Sequence, residues 1–157
     1  MRETIVIVSG GFDPPHGGHF NLWEEAANLG DHLAIIINRD KFLKEKRKKK
    51  FGMGFVVMPR EDRMRIAKCW GDFVIESLDH DNTVCATLIQ LKLLFSDYNL
   101  IFANGGDRNK DKEIPEATIC RELGIEMAYG IGGNFKQNAS TDIIKNLFEV
   151  FKGIKRY

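Results

Sequence analysis

A chain of 157 residues has the size of one ordinary domain. Its 43% hydrophobic and 29% charged residues exclude a disordered or membrane-embedded chain. Lysine plus arginine number 23 against 22 acidic residues, a net charge of +1, which argues against a nucleic-acid binder that relies on whole-domain charge.

The cysteines and the start of the chain indicate the compartment. The three cysteines never form a CxxC pair, so we expect neither a disulfide framework nor a zinc cluster. No signal peptide is recognisable, and no apolar run approaches the ~20 residues that span a bilayer. These features predict a soluble, cytoplasmic protein that does not contact a membrane.

Short apolar runs alternate with helical patterns along the chain. Strands are predicted at residues 4–9, 33–38, 73–76, 100–103 and 126–129. Helices are predicted to start near Gly18, after Pro59, near residues 81–83, at Pro115 and at Ser140 or Thr141. This alternation predicts an α/β fold in which a single domain, residues 1–157, forms a Rossmann-like, five-stranded parallel sheet with helices on both faces.

One segment departs from the alternation. Residues 39–50 contain eight basic and two acidic side chains and are followed by the sequence FGMG. We predict a mobile loop here and not a helix. The basic part, residues 44–50, is then a solvated loop, a lid over a bound triphosphate or a contact for nucleic acid.

The first predicted turn, residues 9–19, reads SGGFDPPHGGH. In an open parallel sheet this turn lines the ligand crevice, and the helix after it presents free N–H groups and a positive dipole end to anions. His16 and His19 are three residues apart, so both imidazoles are expected on one side of the first helical turn. There they can donate hydrogen bonds to oxygens on one phosphorus, and the turn therefore predicts phosphate chemistry.

Other interpretations of this turn fit less well. The P-loop pattern GxxxxGK[ST] occurs nowhere in the chain, and the turn does not match the Rossmann pattern GxGxxG. A metal site on the two histidines lacks a third ligand at a matching spacing, so we predict no protein-bound metal. A plain structural turn without chemistry remains as the other alternative.

The sequence GGFDPPHGGH resembles the (T/S/G)xFDPxHxGH signature of the HxGH nucleotidyltransferase superfamily. Three further segments resemble its small cytidylyltransferase-like branch, which includes heptose 1-phosphate adenylyltransferases and glycerol 3-phosphate cytidylyltransferases. They are residues 104–107 (NGGD, like a GGD turn), residues 139–145 (ASTDIIK, like the STTxIIK start of a last helix) and residues 61–63 (EDR, like an ExR element). The resemblance covers nearly the whole chain.

This resemblance implies a reaction and its partners. A nucleoside monophosphate from ATP or CTP would be joined to a small phosphorylated acceptor with release of pyrophosphate, and Mg²⁺ would be bound mainly through the substrate phosphates. A sugar 1-phosphate is the first choice of acceptor, with glycerol 3-phosphate and nicotinate mononucleotide as alternatives. A homodimer is left open, because homodimers are common among such enzymes.

The resemblance also implies roles for individual residues. The catalytic set is His16, His19 and Lys46. The nucleotide-binding set is Gly11, Phe12, Gly18, Asp107, Lys136, Ser140 and Thr141. Arg63 would bind the acceptor, with a salt bridge on a helix surface as its alternative.

Two positions depart from the family pattern. Asn138 and Ala139 replace the usual isoleucine and first hydroxyl residue before the last helix. They keep a rival hypothesis open, in which the chain is a nucleotide-binding or nucleic-acid-binding module without catalysis.

Overall fold

The computed structural model describes residues 1–106, 114–133 and 139–154. The predicted site residues Asp107 and Lys136 lie outside the described residues. The strands are β1 Thr4–Gly10, β2 His32–Ile37, β3 Phe73–Glu76, β4 Asn99–Gly105 and β5 Glu126–Ile131. The helices are α1 Gly17–Ala27, α2 Asp40–Phe51, α3 Arg60–Ala67, α4 Cys85–Leu94, α5 Pro115–Leu123 and α6 Ser140–Ile154.

The five strands form one parallel sheet in the order β3-β2-β1-β4-β5. This confirms the predicted sheet, and each predicted strand overlaps an observed one. The chain runs outward from β1 to β3, then returns to the other side of β1 as β4. Ligands bind at such a reversal, outside the carboxyl ends of the strands. The turn after β1 therefore lies where a ligand is expected.

Helices cover both faces of the sheet, as predicted. Alternate residues of β1 point to opposite faces, so that Ile5 and Ile7 belong to one core and Val6 and Val8 to the other. The first core packs against α4 and α5, and the second packs against α1 and α3. Burial on both faces explains why β1 and β2 are almost continuously apolar.

The prediction of a mobile loop over residues 39–54 is wrong for most of its length, because residues 40–51 form α2. Asp40 in its first turn and three lysines in its last turn complement the helix dipole, and Gly52 ends it with a left-handed φ of 79°. The helix buries only Leu43 and Arg47, four residues apart. Arg47 occupies the position where an amphipathic helix would carry a second apolar residue. The sequence pattern therefore did not indicate a helix.

Candidate active site

A cleft of about 250 Å³ opens at the end of β1. The turn after β1, helix α2 and the start of α6 all contribute to its walls. The predicted site residues that line it are Gly11, Phe12, His19, Lys46, Ser140 and Thr141. The sequence separates these residues by up to 130 positions, and the fold brings them together.

The backbone of the turn is shaped by close packing against α2. A Cβ atom on Gly11 would lie 2.5 Å from Cδ2 of Leu43, so only glycine lets α2 approach this closely. Phe12 has a φ of 49°, in the left-handed region that favours glycine. Its buried ring contacts the edges of His19 and Trp23, with both pairs of ring centroids 4.9 Å apart. Phe12 therefore supports the His19 ring from inside the protein.

His16 lies just before α1 and caps it. Its backbone is extended, with φ −149° and ψ 175°, and its Nδ1 accepts a hydrogen bond of 3.1 Å from the Gly18 N–H. His16 is therefore the N-cap of α1, one residue before the helix, and its ring lies on the same side as that of His19, as expected. Because Nδ1 is the acceptor, the neutral ring carries its proton on Nε2. The Gly18 N–H therefore already donates a hydrogen bond to the His16 side chain.

The two imidazoles stack on one another. Their centroids are 3.7 Å apart and their planes are inclined by 27°. Burial, followed by the nearby His16, lowers the pKa of His19 to about 3. Burial also lowers the pKa of His16, opposed in part by the charge of Asp142. Both rings are therefore neutral at pH 7 and act as hydrogen-bonding groups, not as cations.

One nitrogen of this pair is unsatisfied. Nδ1 of His19 is buried and has no hydrogen-bond partner among the described residues. Buried polar atoms nearly always have a partner, so an unpaired one beside a cleft is a mark of a functional site.

Asp13 organises the turn, and the sequence analysis did not single it out. Its buried carboxylate accepts hydrogen bonds from the N–H groups of Val57, at 2.9 Å, and Met58, at 2.6 Å. It also forms an ion pair with Arg47 of α2. Arg47 in turn donates to the carbonyls of Asp13, at 2.5 Å, and Phe55, at 3.1 Å. This network joins the turn, α2 and the segment before α3.

Arg63 stabilises the turn after β1 from a buried position behind the wall of the cleft. Its guanidinium is fully buried, donates to the carbonyls of Gly11 (2.6 Å), Asn38 (3.0 Å) and Met58 (3.2 Å), and pairs with Asp40. A salt bridge on a helix surface, the alternative expectation, is therefore wrong. Arg63 is not among the residues that line the cleft, and it reaches the site through the backbone of Gly11.

The start of α6 closes the opposite side of the cleft. The Ser140 hydroxyl donates to the carbonyl of Pro14 at 3.0 Å, which ties α6 to the first turn. The Lys50 ammonium donates to Oγ1 of Thr141 at 3.3 Å. The Asp142 carboxylate accepts from the N–H of Ala139 at 3.3 Å. Lys50 received no individual role in the sequence analysis, because nothing in a run of lysines distinguishes one from its neighbours.

With this geometry, the chain can be compared with known proteins. The model of the cytidylyltransferase-like family matches residues 7–107, which include the first turn, α2 and the end of β4. The chain belongs to this family of nucleotidyltransferases. The resemblance noted from GGFDPPHGGH is thereby confirmed.

Individual relatives agree with the family. The chain is 29% identical to an FAD synthase of Archaeoglobus profundus over 149 residues, covering 94% of this chain and 88% of the relative. It is 36% identical to the bifunctional protein HldE of Vibrio parahaemolyticus over 154 residues, covering 96% of this chain but only 29% of that relative. A solved lipopolysaccharide core biosynthesis protein from Thermoplasma volcanium shares the fold, with a TM-score of 0.55, 22% identity and coverage of 82% of this chain and 94% of that one.

Among the described residues, none of the helices has an apolar stretch that could span a membrane. Within the same residues, no group of three or more histidine, cysteine, aspartate or glutamate side chains could hold a metal ion.

Proposed function

We propose that this protein transfers a nucleoside monophosphate from ATP or CTP to a small phosphorylated acceptor and releases pyrophosphate. The observation that carries this proposal is the stacked pair of His16 and His19, in which His19 lines the cleft at the end of the first strand and His16 stacks on it. Two neutral imidazoles can donate hydrogen bonds to oxygens on one phosphorus without adding positive charge.

The reaction needs no nucleophile from the protein. A phosphate oxygen of the acceptor forms a bond to the α-phosphorus, the bond from that phosphorus to the bridging oxygen breaks, and pyrophosphate takes the electron pair. Catalysis then consists of positioning and of stabilising charge on the phosphate oxygens. His16 would donate through Nε2–H to the α-phosphate, with His19 beside it. Lys46 and the start of α6 would stabilise the departing groups.

Mg²⁺ would be bound together with the triphosphate. Mg²⁺ prefers oxygen ligands and is commonly held by substrate phosphates together with one or two carboxylates. The chemistry of the cleft fits that mode, because the cleft wall offers the neutral imidazole of His19 and two lysines, and the Asp13 carboxylate is paired with Arg47. Bound in this way, Mg²⁺ would neutralise phosphate charge.

The acceptor is proposed to be a sugar 1-phosphate of the heptose type, in keeping with the resemblance of residues 104–107 and 139–145 to segments of heptose 1-phosphate nucleotidyltransferases. Glycerol 3-phosphate and nicotinate mononucleotide are the alternatives. The relative named FAD synthase adds flavin mononucleotide to the set, because FAD is that compound joined to AMP. All four acceptors carry a terminal phosphate that can attack the α-phosphorus.

A substrate panel tests the proposal. ATP and CTP are each combined with the four acceptors and Mg²⁺, and pyrophosphate release is measured, with EDTA as the metal-free control. Release that depends on one acceptor and on His16 supports the proposal. Salt-sensitive binding to nucleic acid without affinity for triphosphates would overturn it in favour of a binding module. Sedimentation of the same preparation tests whether the protein forms a homodimer.

A further inference from the structure

We propose that two copies of this chain associate through the outer half of α6, which pairs with its counterpart in antiparallel orientation across a two-fold axis. The inference goes beyond the proposed function and assigns a surface to the homodimer that the sequence analysis left open. Its test needs no substrate, so it can fail while the proposed function stands.

Helix α6 continues well past the cleft. Its start contacts Pro14 and Lys50, and Ile144 is its one buried residue among the described residues. Every residue from 145 to 154 is exposed, although the ring of Phe148 still contacts neighbouring rings at the end of α2. A helix of this length is marginal in water unless an apolar face packs against something. The outer half of α6 lacks such packing within its own chain.

The exposed part of α6 is rich in large apolar side chains. Five of them are 36–62% exposed: Leu147, Phe148, Val150, Phe151 and Ile154. Single exposed apolar residues are normal on a protein surface, but a contiguous group of them marks an interaction site.

Four of these side chains form one stripe along the helix. They follow one another at intervals of three, one and three residues, the spacing of a single helical face, and we call them the outer stripe: Leu147, Val150, Phe151 and Ile154. At 100° per residue, Lys145, Glu149 and Lys152 point about 150–170° away from the centre of this stripe. The outer stripe therefore carries no charge that would select an acidic or a basic partner, and interfaces of homodimers are apolar in this way.

The spacing of the outer stripe is symmetric, and this favours a second copy as the occupant. The order of intervals is the same from either end of the stripe. An antiparallel copy therefore places Leu147 opposite Ile154 and Val150 opposite Phe151, so each apolar side chain meets another. The same surface is then used by both partners, which is the defining property of a two-fold interface.

The exposed area agrees with a dimer. If a large apolar side chain has a full accessible area of roughly 200 Å², the five exposed side chains leave on the order of 500 Å² of apolar surface per copy. The largest apolar patch of a typical monomer is about 300–600 Å² and is often functional. A pair that covers both faces removes about 1,000 Å², which is the area that a specific interface needs.

Pairing would also stabilise one wall of the cleft. Ser140, Thr141 and Ile144 line the cleft at the start of α6. Because the outer half of the same helix has little to pack against in its own chain, contact with a second copy would hold the helix in place. The dimer would thus fix a wall that each copy alone leaves weakly supported.

Leu147→Glu and Leu93→Glu make a matched pair of variants. Both replace an exposed leucine by a charged residue, at 48% and 69% exposure, and neither leucine lines the cleft. Leu93 lies on α4, which already buries Leu88 and Leu91. Leu147→Met is the conservative variant that keeps an apolar side chain, and far-ultraviolet circular dichroism checks that each variant is folded.

An interface of this size is expected to dissociate at micromolar concentrations, so sedimentation velocity is measured from about 1 to 200 µM. The unmodified protein should change from monomer to dimer over this range. Leu147→Glu should raise the dissociation constant about tenfold or more, because pairing buries two carboxylates without partners. Leu93→Glu and Leu147→Met should remain within about twofold of the unmodified protein.

Hydrogen–deuterium exchange locates the surface independently of the variants. Amides of residues 147–154 should exchange more slowly at 200 µM than at 1 µM, about in proportion to the dimer fraction, while those of α4 should not change. The same proteins are sedimented with vesicles of phosphatidylglycerol and phosphatidylcholine as a test for a lipid surface.

Each result decides the inference. It is overturned if the unmodified protein is a monomer throughout, and vesicle binding that Leu147→Glu abolishes would then assign the outer stripe to a membrane. It is also overturned if the dimer survives Leu147→Glu, and dissociation by Leu93→Glu alone would place the interface on α4. If both glutamate variants dissociate, slower exchange of residues 147–154 supports the inference, and slower exchange confined to α4 refutes it.

Discussion

The two sides of the cleft are built differently. On the α1 side, the turn after β1 is held by buried contacts: Phe12 beneath His19, Asp13 paired with Arg47, and Arg63 bound to the carbonyl of Gly11. On the α6 side, Thr141 meets the exposed ammonium of Lys50, and most side chains of α6 are exposed.

This difference separates two tasks. Buried groups lose conformational freedom when the protein folds and are then fixed in place, which suits orientation of the reacting phosphorus. Exposed lysines are adjustable and screened by salt, which suits attraction of a flexible polyphosphate. Substitutions on the α1 side should therefore change the free energy of unfolding and the rate of pyrophosphate release. Substitutions on the α6 side should change the affinity for the triphosphate.

The largest expected effect is the loss of stability when the buried Asp13–Arg47 ion pair on the α1 side is broken. Asp13→Ala leaves the Arg47 guanidinium buried without its partner, so the free energy of unfolding should fall by about 3–5 kcal/mol. Urea denaturation followed by circular dichroism measures this. Glu149→Ala, which removes an exposed partner of Lys152, should cost no more than about 1 kcal/mol. Equal losses in the two variants would show that the α1 side is not specially rigid.

The next effect concerns rate. His16→Ala should lower the rate of pyrophosphate release about 10²–10³-fold, by analogy with the removal of one oxyanion-hole donor. His32→Ala, at the other end of the sheet, should leave the rate unchanged. His16→Asn keeps a side chain that can cap α1 and separates loss of the cap from loss of the donor. A fully active His16→Ala variant would defeat the mechanism.

A smaller effect appears in the dependence of stability on pH. The pKa of His19 is about 3 in the folded protein and about 6.5 when unfolded, so below pH 6.5 the unfolded chain binds a proton that the folded protein does not. Stability contributed by neutral His19 is therefore present above pH 6.5 and is lost as pH falls toward 3, by about 1.4 kcal/mol per pH unit. Urea titrations at pH 7, 6 and 5 should give a steeper loss for the unmodified protein than for His19→Gln. Parallel slopes would contradict burial of the neutral ring.

The smallest effect concerns the link between the two sides. Ser140→Ala removes the hydrogen bond to the carbonyl of Pro14 and should lower the free energy of unfolding by about 1 kcal/mol. The same urea assay measures it, with the exposed Ser96→Ala as the control, expected within about 0.5 kcal/mol of the unmodified protein. If both serine variants unfold alike, this contact does not stabilise the cleft.

Sequence patterns predicted the features that depend on residues close together in the chain. Continuous apolar runs indicated the strands, and the turn SGGFDPPHGGH indicated the position of the cleft. The Asp13–Arg47 pair leaves no such pattern, because its partners are 34 residues apart and each is an ordinary charged residue in sequence. Helix α2 was missed for the same reason, since the buried face of the helix depends on that pair. Arg63 was expected to bind the acceptor or to form a salt bridge on a helix surface. Its burial was not predicted, because the partners that bury a cation are assembled only by the fold.

The cap that His16 provides for α1 has a chemical consequence. In many enzymes a carboxylate decides which nitrogen of a histidine carries the hydrogen. Here the backbone amide of Gly18, two residues further on, makes that choice as soon as the first turn of the helix forms. The secondary structure therefore sets the tautomer of His16, and no carboxylate hydrogen-bonded to the ring is needed to fix it.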